Sequence, residues 1–276
     1  MPSSQHEKAL RFRKLHEGAR AFVIPNPWDA GSARILAGLG FEALATSSGA
    51  AAGTHGRRDG EITREESIAH ARAIAEATDL PVAGDLEKGF GDSPEDAAET
   101  IRLAGEAGLV GGSIEDASGY KDKPIFDFHH AVERVEAAAR MAHSLPFPFT
   151  FTARCENHIR GRNDLDDTIR RLLAYEKAGA DVLFAPGLPD LDSVRTVCGA
   201  VHKPVNFMVG IRGKSFSLAE LEAAGVRRIS LATSLYRAAM SAFVEAAREV
   251  REQGTFGYID GGLASAEIAG LMKRPQ

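Results

Sequence analysis

The sequence predicts a (β/α)8 barrel, and two observations lead to that fold class. Short apolar runs alternate with helix-like segments along residues 20–250 and are joined by short links. Four helices end on Ala and Gly immediately before an apolar run, at residues 37–41, 106–109, 177–180 and 223–226. Glycine supplies the left-handed cap that lets the chain reverse tightly. Eight such strand–helix units favour a barrel, with a doubly wound open sheet as the main alternative.

Each apolar run and each helix-like segment has its own boundaries. Strands are expected at residues 21–24, 41–46, 82–87, 110–115, 149–153, 181–185, 204–208 and 227–232. Helices are expected at residues 3–17, 30–39, 63–78, 93–108, 128–143, 165–178, 191–201, 218–224, 234–253 and 264–271. Residues 47–53 and 117–126 are expected to be loops. We therefore expect one domain over residues 1–276, with a lead-in helix in 1–20 and a helical extension in 234–276.

Several helix starts carry capping residues. Asp29 is better explained as the cap of the first barrel helix than as a ligand. Thr63 and Glu66 have the spacing of a capping box. Ser93 followed by Pro94 places a cap and a first-turn proline at the start of another helix.

Composition places the chain among globular proteins. It has 276 residues, 44% of them hydrophobic and 26% charged, which is enough for one large core. The net charge of −5 favours neither nucleic acid nor an anionic membrane as a partner. The first residues lack the apolar core of a secretion signal, and no apolar run is long enough to span a bilayer. Cys155 and Cys198 lack metal-ligand spacing, so we expect a reducing cytoplasm.

The stretch from residue 82 to residue 91 is the most informative one. It reads as a buried strand after Pro81 that ends in Asp85 and Glu87, which point the same way if the strand continues through them. Two like charges there repel each other and are costly to desolvate. A hard divalent cation, Mg²⁺ or alternatively Mn²⁺, would offset both effects. The alternative is an acidic turn that runs out into solvent.

Other strand ends add to this pattern, because sites in a (β/α)8 barrel lie at the carboxyl ends of the strands. Glu115 ends the fourth strand next to the two acids and strengthens the case for a cation. Arg154 ends the fifth strand and is suited to capture of a carboxylate or phosphonate through two hydrogen bonds. Backbone N–H groups of residues 47–49 are candidates to hold a second anionic group. Asn206 ends the seventh strand and is a further candidate for substrate binding.

Some polar residues near these ends have simpler explanations. Glu156 is a candidate to pair with Arg154 or Arg160 rather than to bind a ligand. Cys155 should face away from Arg154 on the strand and is expected in the core. His129, together with the other histidines of its predicted helix, lacks ligand spacing.

Five short segments are informative as a set: residues 47–49, 56–59, 84–91, 113–116 and 152–154. Together they resemble the isocitrate lyase/phosphoenolpyruvate mutase superfamily over roughly residues 20–250. The resemblance implies Mg²⁺, a 2-oxo acid or its enolate as ligand, and a reaction at a C–C or P–C bond next to the carbonyl. It also implies a TIM barrel whose last helix swaps between subunits of a homodimer or homotetramer.

The resemblance also implies roles for individual residues. Metal binding, direct or through water, is implied for Asp85, Glu87 and Glu115, with Asp59 in the outer shell of the metal. Binding of the substrate's carboxylate and oxo groups is implied for Ser47, Ser48 and Arg154. Gly49 and Asn206 complete the expected substrate-binding set.

Departures from the family pattern bear on the reaction. Glu87 stands where the family has Asp. Residues 117–124 replace the lyases' Cys- and His-containing loop, so isocitrate-type cleavage loses its proton donor. Lys121 matches the Lys of the phosphonopyruvate enzymes, but Lys123 replaces their Asn. The lyases' Glu at the end of the sixth strand is absent from residues 185–187.

The residues and the resemblance together predict a Mg²⁺-dependent enzyme that acts on a small 2-oxo carboxylate through an enolate-like state. C–C cleavage of the oxaloacetate type, by a lyase, hydrolase or decarboxylase, is the first expectation. Phosphonopyruvate rearrangement or hydrolysis is the second, and a 2-oxo-acid-binding protein without turnover is the third. We expect loop 117–126 to close over the site. The expected catalytic residues are Arg154, with Lys121 or Tyr120 delivering a proton.

Overall fold

The computed structural model describes residues 3–272 and contains eight parallel strands surrounded by helices. The strands are β1 (Phe22–Ile24), β2 (Leu44–Ala45), β3 (Val82–Asp85), β4 (Gly111–Glu115), β5 (Thr150–Arg154), β6 (Val182–Phe184), β7 (Val205–Met208) and β8 (Arg228–Ser230). The helices are α1 (Gln5–Glu17), α2 (Ala30–Gly38), α3 (Ser48–Thr54), α4 (Arg64–Ala77), α5 (Pro94–Glu106), α6 (Phe128–Ser144), α7 (Leu165–Lys177), α8 (Leu191–Ala200), α9 (Leu218–Ala223), α10 (Ser234–Gln253) and α11 (Ser265–Leu271).

The sheet curls until its two edges meet. Its strands are hydrogen-bonded in the order β1-β8-β7-β6-β5-β4-β3-β2. At the carboxyl ends of β1 and β2, the Ala45 N–H donates to the Pro25 carbonyl at 3.0 Å. The side-chain amide of Asn26 donates to the Thr46 carbonyl at 2.8 Å. These bonds join the edges, so the predicted (β/α)8 barrel is confirmed and the open-sheet alternative is wrong.

Two predicted boundaries were wrong in ways that matter for the site. The loop expected at residues 47–53 is the helix α3, because the Ser47 side chain caps it and an alanine-rich run follows. The strand β3 stops at Asp85, and Glu87 lies beyond it with a left-handed φ of 50°. Strand alternation therefore does not orient Glu87. The prediction that Asp29 caps a helix is confirmed, since its side chain accepts from the Ser32 N–H.

The helix α1 closes the amino-terminal end of the barrel. Phe12 is fully buried, and its ring makes edge contacts with His16 at 4.7 Å and Phe22 at 6.4 Å between centroids. Gly111 is required where this ring meets β4, because a Cβ there would lie 2.7 Å from the Phe12 ring. A lead-in helix in residues 1–20 was predicted, but its role as a plug was not.

His16 is buried in this plug as a neutral ring. Its Nδ1 lies 2.8 Å from the Phe12 carbonyl, which can only accept, so Nδ1 carries the proton. Its Nε2 faces the guanidinium of Arg228 at 3.4 Å and accepts from it. Burial, reinforced by the charge of Arg228, lowers the pKa of His16 to about 3.

The carboxyl-terminal arm, residues 234–272, extends from the barrel, and the rest of the chain covers little of its surface. None of the residues of α10 is buried. Large apolar side chains of the arm are exposed, among them Phe243, Phe256 and Ile259. Further along, α11 returns to α2, where a Cβ at Gly38 would lie 2.2 Å from the Leu271 carbonyl oxygen. Within residues 3–272, no helix has both the length and the apolar character needed to cross a membrane.

Replacement of His16 by Phe should flatten the pH dependence of stability. The folded-state pKa of about 3 lies below the ordinary 6.5, so the unfolded chain takes up a proton that the folded protein excludes. The free energy of unfolding is therefore highest above pH 6.5 and decreases as the pH falls toward 3. Between pH 6.5 and 5 the wild type should lose about 2 kcal/mol that His16→Phe retains. Urea unfolding at both pH values measures this difference.

The matched control is His6→Phe, since His6 is exposed on the same helix. That variant should show the wild-type pH dependence. Equal losses in the wild type and in His16→Phe would contradict the assignment of a neutral, buried imidazole.

Candidate active site

A cavity of about 280 Å³ opens at the carboxyl ends of the strands. Residues from the ends of strands all around the barrel line it. The predicted site residues among them are Ser47, Ser48, Gly49, Asp59, Asp85, Arg154 and Asn206. Glu87, Glu115, Tyr120 and Lys121 are not among the lining residues. The barrel thus brings segments that are far apart in the sequence to one concave face, as expected for this fold.

The turn after β2 orients Asp85. The Ser48 N–H donates to Asp85 Oδ2 at 3.0 Å, and the Asp85 N–H donates to Thr46 Oγ1 at 2.9 Å. The backbone N–H of Ser48 is therefore occupied by a protein carboxylate. Ser48 and Gly49 both line the cavity, so the Ser48 hydroxyl and the Gly49 backbone remain as groups that can face a ligand. Gly49 lies close to Asp59, since a Cβ at Gly49 would be 3.4 Å from the Asp59 carboxylate.

At and just beyond the end of β3, two buried carboxylate oxygens, Asp85 Oδ1 and Glu87 Oε1, have no hydrogen-bond partner within residues 3–272. Burial, followed by the charges of Asp85 and Asp59, raises the pKa of Glu87 to about 7. Unpaired carboxylate oxygens in such a place are costly unless a cation or a proton compensates them. The donor set, hard oxygen atoms held at a strand end, fits a divalent cation such as Mg²⁺.

Arg154 stands among three carboxylates. Its Nη1 lies 3.6 Å from Asp85 Oδ1 and 3.3 Å from Glu115 Oε2, and its Nε donates to Glu156 Oε1. Its guanidinium also lies over the Phe184 ring, 5.1 Å from the centroid. Both Asp85 and Glu115 therefore reach the same nitrogen atom, which places the ends of β3, β4 and β5 in one cluster.

The carboxylates outnumber the guanidinium groups in this cluster. Arg160 is the second cation and contacts Glu115 at 3.3 Å and Glu156 at 3.1 Å. Even so, burial raises the pKa of Glu115 to about 8, and the charges of Glu156 and Asp85 add to this while Arg154 opposes it. Glu156 pairs with both arginines, as the simpler sequence interpretation expected. The excess of acid marks a place that gains from a further positive charge.

The arrangement differs in one respect from the metal site pictured from the sequence. Across residues 3–272, no three His, Cys, Asp or Glu side chains are grouped closely enough to hold a metal ion by themselves. The reason is that Arg154 lies between Asp85 and Glu115. Of the expected ligands, Asp85 at the end of β3 and Glu87 just beyond it have buried oxygen atoms without a hydrogen-bond partner among residues 3–272, whereas Glu115 is paired with Arg154 and Arg160.

The loop at residues 117–126 is held away from the cavity. The Lys88 ammonium binds Asp92 at 2.6 Å and the Ser118 carbonyl at 2.8 Å, and the Tyr120 hydroxyl donates to Asp92 Oδ2 at 2.7 Å. Tyr120 and Lys121 are exposed. The structure therefore does not bring these two predicted proton donors to the carboxylates.

Sequence reasoning missed the polar residues deeper in the barrel. Thr152, Arg228 and Ser230 line the same cavity, and Asn206 is bonded to two of them. Each of these faces inward, two residues from another inward-facing position on its strand. The alternation of side chains along the strands could have identified these inward-facing residues. In the sequence, however, Arg228 directly follows Arg227, and two adjacent arginines are typical of an exposed surface.

The family model for phosphoenolpyruvate phosphomutase matches residues 12–251. An uncharacterized protein of Mycobacterium tuberculosis is 32% identical over 88% of this chain and 90% of its own length. An oxaloacetate decarboxylase of Pseudomonas aeruginosa is 29% identical over 90% of this chain and 87% of its own.

Among solved structures, a protein of Burkholderia cenocepacia J2315, assigned no more closely than lyase/mutase, shares 53% identity. It superposes with a TM-score of 0.94 over 96% of both chains. The family match covers most of the chain, including every strand and the carboxylate cluster. The chain therefore belongs to the phosphoenolpyruvate phosphomutase family, within the isocitrate lyase/phosphoenolpyruvate mutase superfamily.

Proposed function

We propose that this protein is a Mg²⁺-dependent enzyme that breaks a C–C bond next to the carbonyl of a small 2-oxo carboxylate, with an oxaloacetate-type substrate as first choice. The observation that carries the proposal is the pair of buried carboxylate oxygens on Asp85 and Glu87 that have no hydrogen-bond partner among residues 3–272, beside Arg154. The pair fits a hard cation, and the arginine fits a carboxylate. The relative named oxaloacetate decarboxylase supports this choice of substrate.

Four acidic residues would hold the cation, for which Mn²⁺ is the alternative to Mg²⁺. Asp85 and Glu87 have the free oxygen atoms and would bind it most directly. Glu115 and Asp59 would act through water. When bound, the cation supplies a Lewis acid that stabilises the enolate-like charge as the bond breaks.

The chain's own polar groups would bind and orient the substrate. Arg154 would hold its carboxylate, since a guanidinium donates two parallel hydrogen bonds to that group. The Ser48 hydroxyl and the Gly49 N–H line the cavity and would bind the oxo and carboxylate oxygens beside it, with Ser47 shaping the turn. Asn206 would contribute from β7. Glu156 keeps Arg154 in position through its bond to Nε.

Proton delivery would come from the loop at residues 117–126. Lys121 and Tyr120 remain our candidates, and each would require the loop to leave its bonds to Lys88 and Asp92 and cover the cavity. Covering the cavity would also exclude water from the reacting atoms.

Chemistry at a P–C bond is the second candidate, because the matching family model is that of phosphoenolpyruvate phosphomutase. Lys121 is the residue here that matches the family's phosphonopyruvate enzymes. A 2-oxo-acid-binding protein without turnover is the third candidate. Product formation from phosphonopyruvate, or binding without any product, would decide for these alternatives.

We also propose a cytoplasmic homodimer or homotetramer in which α10 packs on a neighbouring subunit. The support is the exposed apolar surface of the arm, including Phe243 and Ile259.

Analytical ultracentrifugation should give two or four chains per particle. Phe243→Glu should shift the particle toward the monomer, while Glu245→Gln on the same helix should leave it unchanged. A monomeric wild type would contradict the proposal.

Removal of the metal should abolish activity. In Mg²⁺ the protein should release pyruvate or oxalate from oxaloacetate. Phosphonopyruvate, assayed as phosphate or phosphoenolpyruvate, tests the second candidate, and the hydroxy acids 2-methylisocitrate and 2,3-dimethylmalate serve as comparison substrates. EDTA should lower that rate by about 100-fold or more, with recovery on adding Mg²⁺ or Mn²⁺. Equal turnover with and without EDTA would refute the metal's role.

Replacement of Glu87 by Gln should change how the protein responds to Mg²⁺. In the absence of metal the variant should be more stable than the wild type, because one of several crowded carboxylates loses its charge. Added Mg²⁺ should raise the melting temperature of the wild type and have little effect on Glu87→Gln, measured by differential scanning fluorimetry. Glu133→Gln, an exposed charge removal on α6, is the matched control and should respond like the wild type. A full Mg²⁺ shift in Glu87→Gln would show that this residue is not a ligand.

A further inference from the structure

The cavity continues below the carboxylate cluster into the barrel. The interior of such a barrel is ordinarily filled by layers of large branched aliphatic side chains. Here many of the strand positions that line the cavity are small or polar, although Ile24, Phe184 and Met208 also line it; the small or polar ones include Ala45, Ala83, Thr152, Asn206, Arg228 and Ser230. A polar, unfilled layer is costly to the fold unless something occupies it.

Arg228 is the only one of these six residues that carries a charge. It is 6% exposed and lines the cavity. Its Nε donates to Asn206 Oδ1 at 2.8 Å, its Nη2 to Thr152 Oγ1 at 3.1 Å, and its Nη1 faces His16 at 3.4 Å. All three partners are neutral, since the buried His16 ring carries its single proton on Nδ1.

The charge of this guanidinium has no acid to balance it. In the part of the chain that the structure describes, residues 3–272, Arg228 takes part in none of the ion pairs formed within 4.0 Å. A guanidinium has five N–H donors, and the three contacts above use one on each nitrogen, which leaves two. Burial lowers the pKa of Arg228 to about 9, which reflects the same lack of a compensating charge. A buried guanidinium that has no acidic partner and two unused N–H donors is suited to bind an anion.

The position of Arg228 relative to Arg154 is fixed by the strand register. Arg154 pairs with Phe184, Phe184 with Asn206, and Asn206 with Arg228, so one hydrogen-bonded row connects them. The guanidinium of Arg228 reaches Thr152, which faces inward two residues before Arg154 on β5. Two residues of a parallel strand span about 6.6 Å. The guanidinium of Arg228 therefore lies deeper in the same cavity than that of Arg154, by about one layer of the barrel.

We propose that Arg228 binds the distal carboxylate of a dicarboxylic 2-oxo acid, while the other end of that acid lies at Asp85, Glu87 and Arg154. This inference rests on the proposed function and narrows its substrate class to dianions. Asn206 and Thr152 act as positioning residues, since their oxygens accept from Nε and Nη2 and hold the guanidinium plane across the barrel. His16 closes the space beneath it.

Equilibrium binding in excess Mg²⁺ tests this assignment without relying on turnover. The probes are two pairs matched in length, 3,3-difluorooxaloacetate with 3,3-difluoro-2-oxobutanoate, and 2-oxoglutarate with 2-oxopentanoate. Within each pair one member carries a carboxylate where the other has a methyl group. The wild type should bind the dianion of at least one pair about tenfold more tightly or better, the size expected of one charge-assisted pair. Isothermal titration calorimetry measures the dissociation constants.

Arg228→Gln should remove this preference and leave the affinity for the monoanion nearly unchanged. Arg228→Lys, which keeps the charge and loses the forked geometry, should retain part of it. Arg227→Gln is the matched control, because the neighbouring Arg227 is directed to the Ala19 carbonyl instead. A purely structural role for Arg228 would lower thermal stability and weaken both members of a pair equally.

Three results would overturn the inference. They are a wild type that binds both members of each pair equally, a folded Arg228→Gln that keeps the preference, and heat from inorganic phosphate alone that Arg228→Gln abolishes. The last would assign the pocket to a free anion. If Arg228→Gln does not fold, the wild-type preference and its partial retention in Arg228→Lys decide the question. Failure of every 2-oxo acid to bind would instead refute the proposed function, and with it this inference.

Discussion

The arrangement of the site depends on one guanidinium among too many carboxylates. Arg154 contacts Asp85, Glu115 and Glu156, and a second arginine only partly offsets the remaining charge. A buried ion cluster is stable when each charge is compensated, and this one carries an excess of acid. The fold tolerates that excess because the strands of the barrel hold the groups in place. Under the proposed function, binding of a cation and of a ligand that shares it would offset this cost.

A second polar network holds this cluster in position from behind. Asp116 accepts the Glu156 N–H at 2.7 Å, the Tyr175 hydroxyl at 2.6 Å and an Arg171 N–H at 3.1 Å. Its partners lie on α7 and after β5, so the helix layer fixes where Glu156, and through it Arg154, can stand. Asp116 follows Glu115 in the sequence, but it is buried and its side-chain hydrogen bonds are all to this supporting network. The adjacent residues Glu115 and Asp116 thus have different roles: Glu115 belongs to the carboxylate cluster, and Asp116 belongs to the network that positions it.

How much of the site could be predicted depended on whether local rules govern each residue. Asp85, Glu115 and Arg154 close their strands and face the site, as the alternation of side chains requires. Glu87 lies past the strand in a left-handed turn, where alternation says nothing about direction. Tyr120 and Lys121 belong to a loop whose position is set by Lys88 and Asp92, residues outside that loop. The local sequence does not predict the direction of a side chain where a distant contact, rather than the local period, orients it.

By itself the sequence determined the repeating strand–helix units, the caps of the helices and the acidic ends of β3 and β4, because each follows from residues within a few positions of one another. The tertiary structure decided that Arg154 stands between Asp85 and Glu115, and that Arg228 lines the cavity without an acidic partner among the described residues. These facts depend on barrel closure and on the stagger between neighbouring strands. No local pattern encodes that stagger, since it arises from hydrogen bonds between segments far apart in the chain.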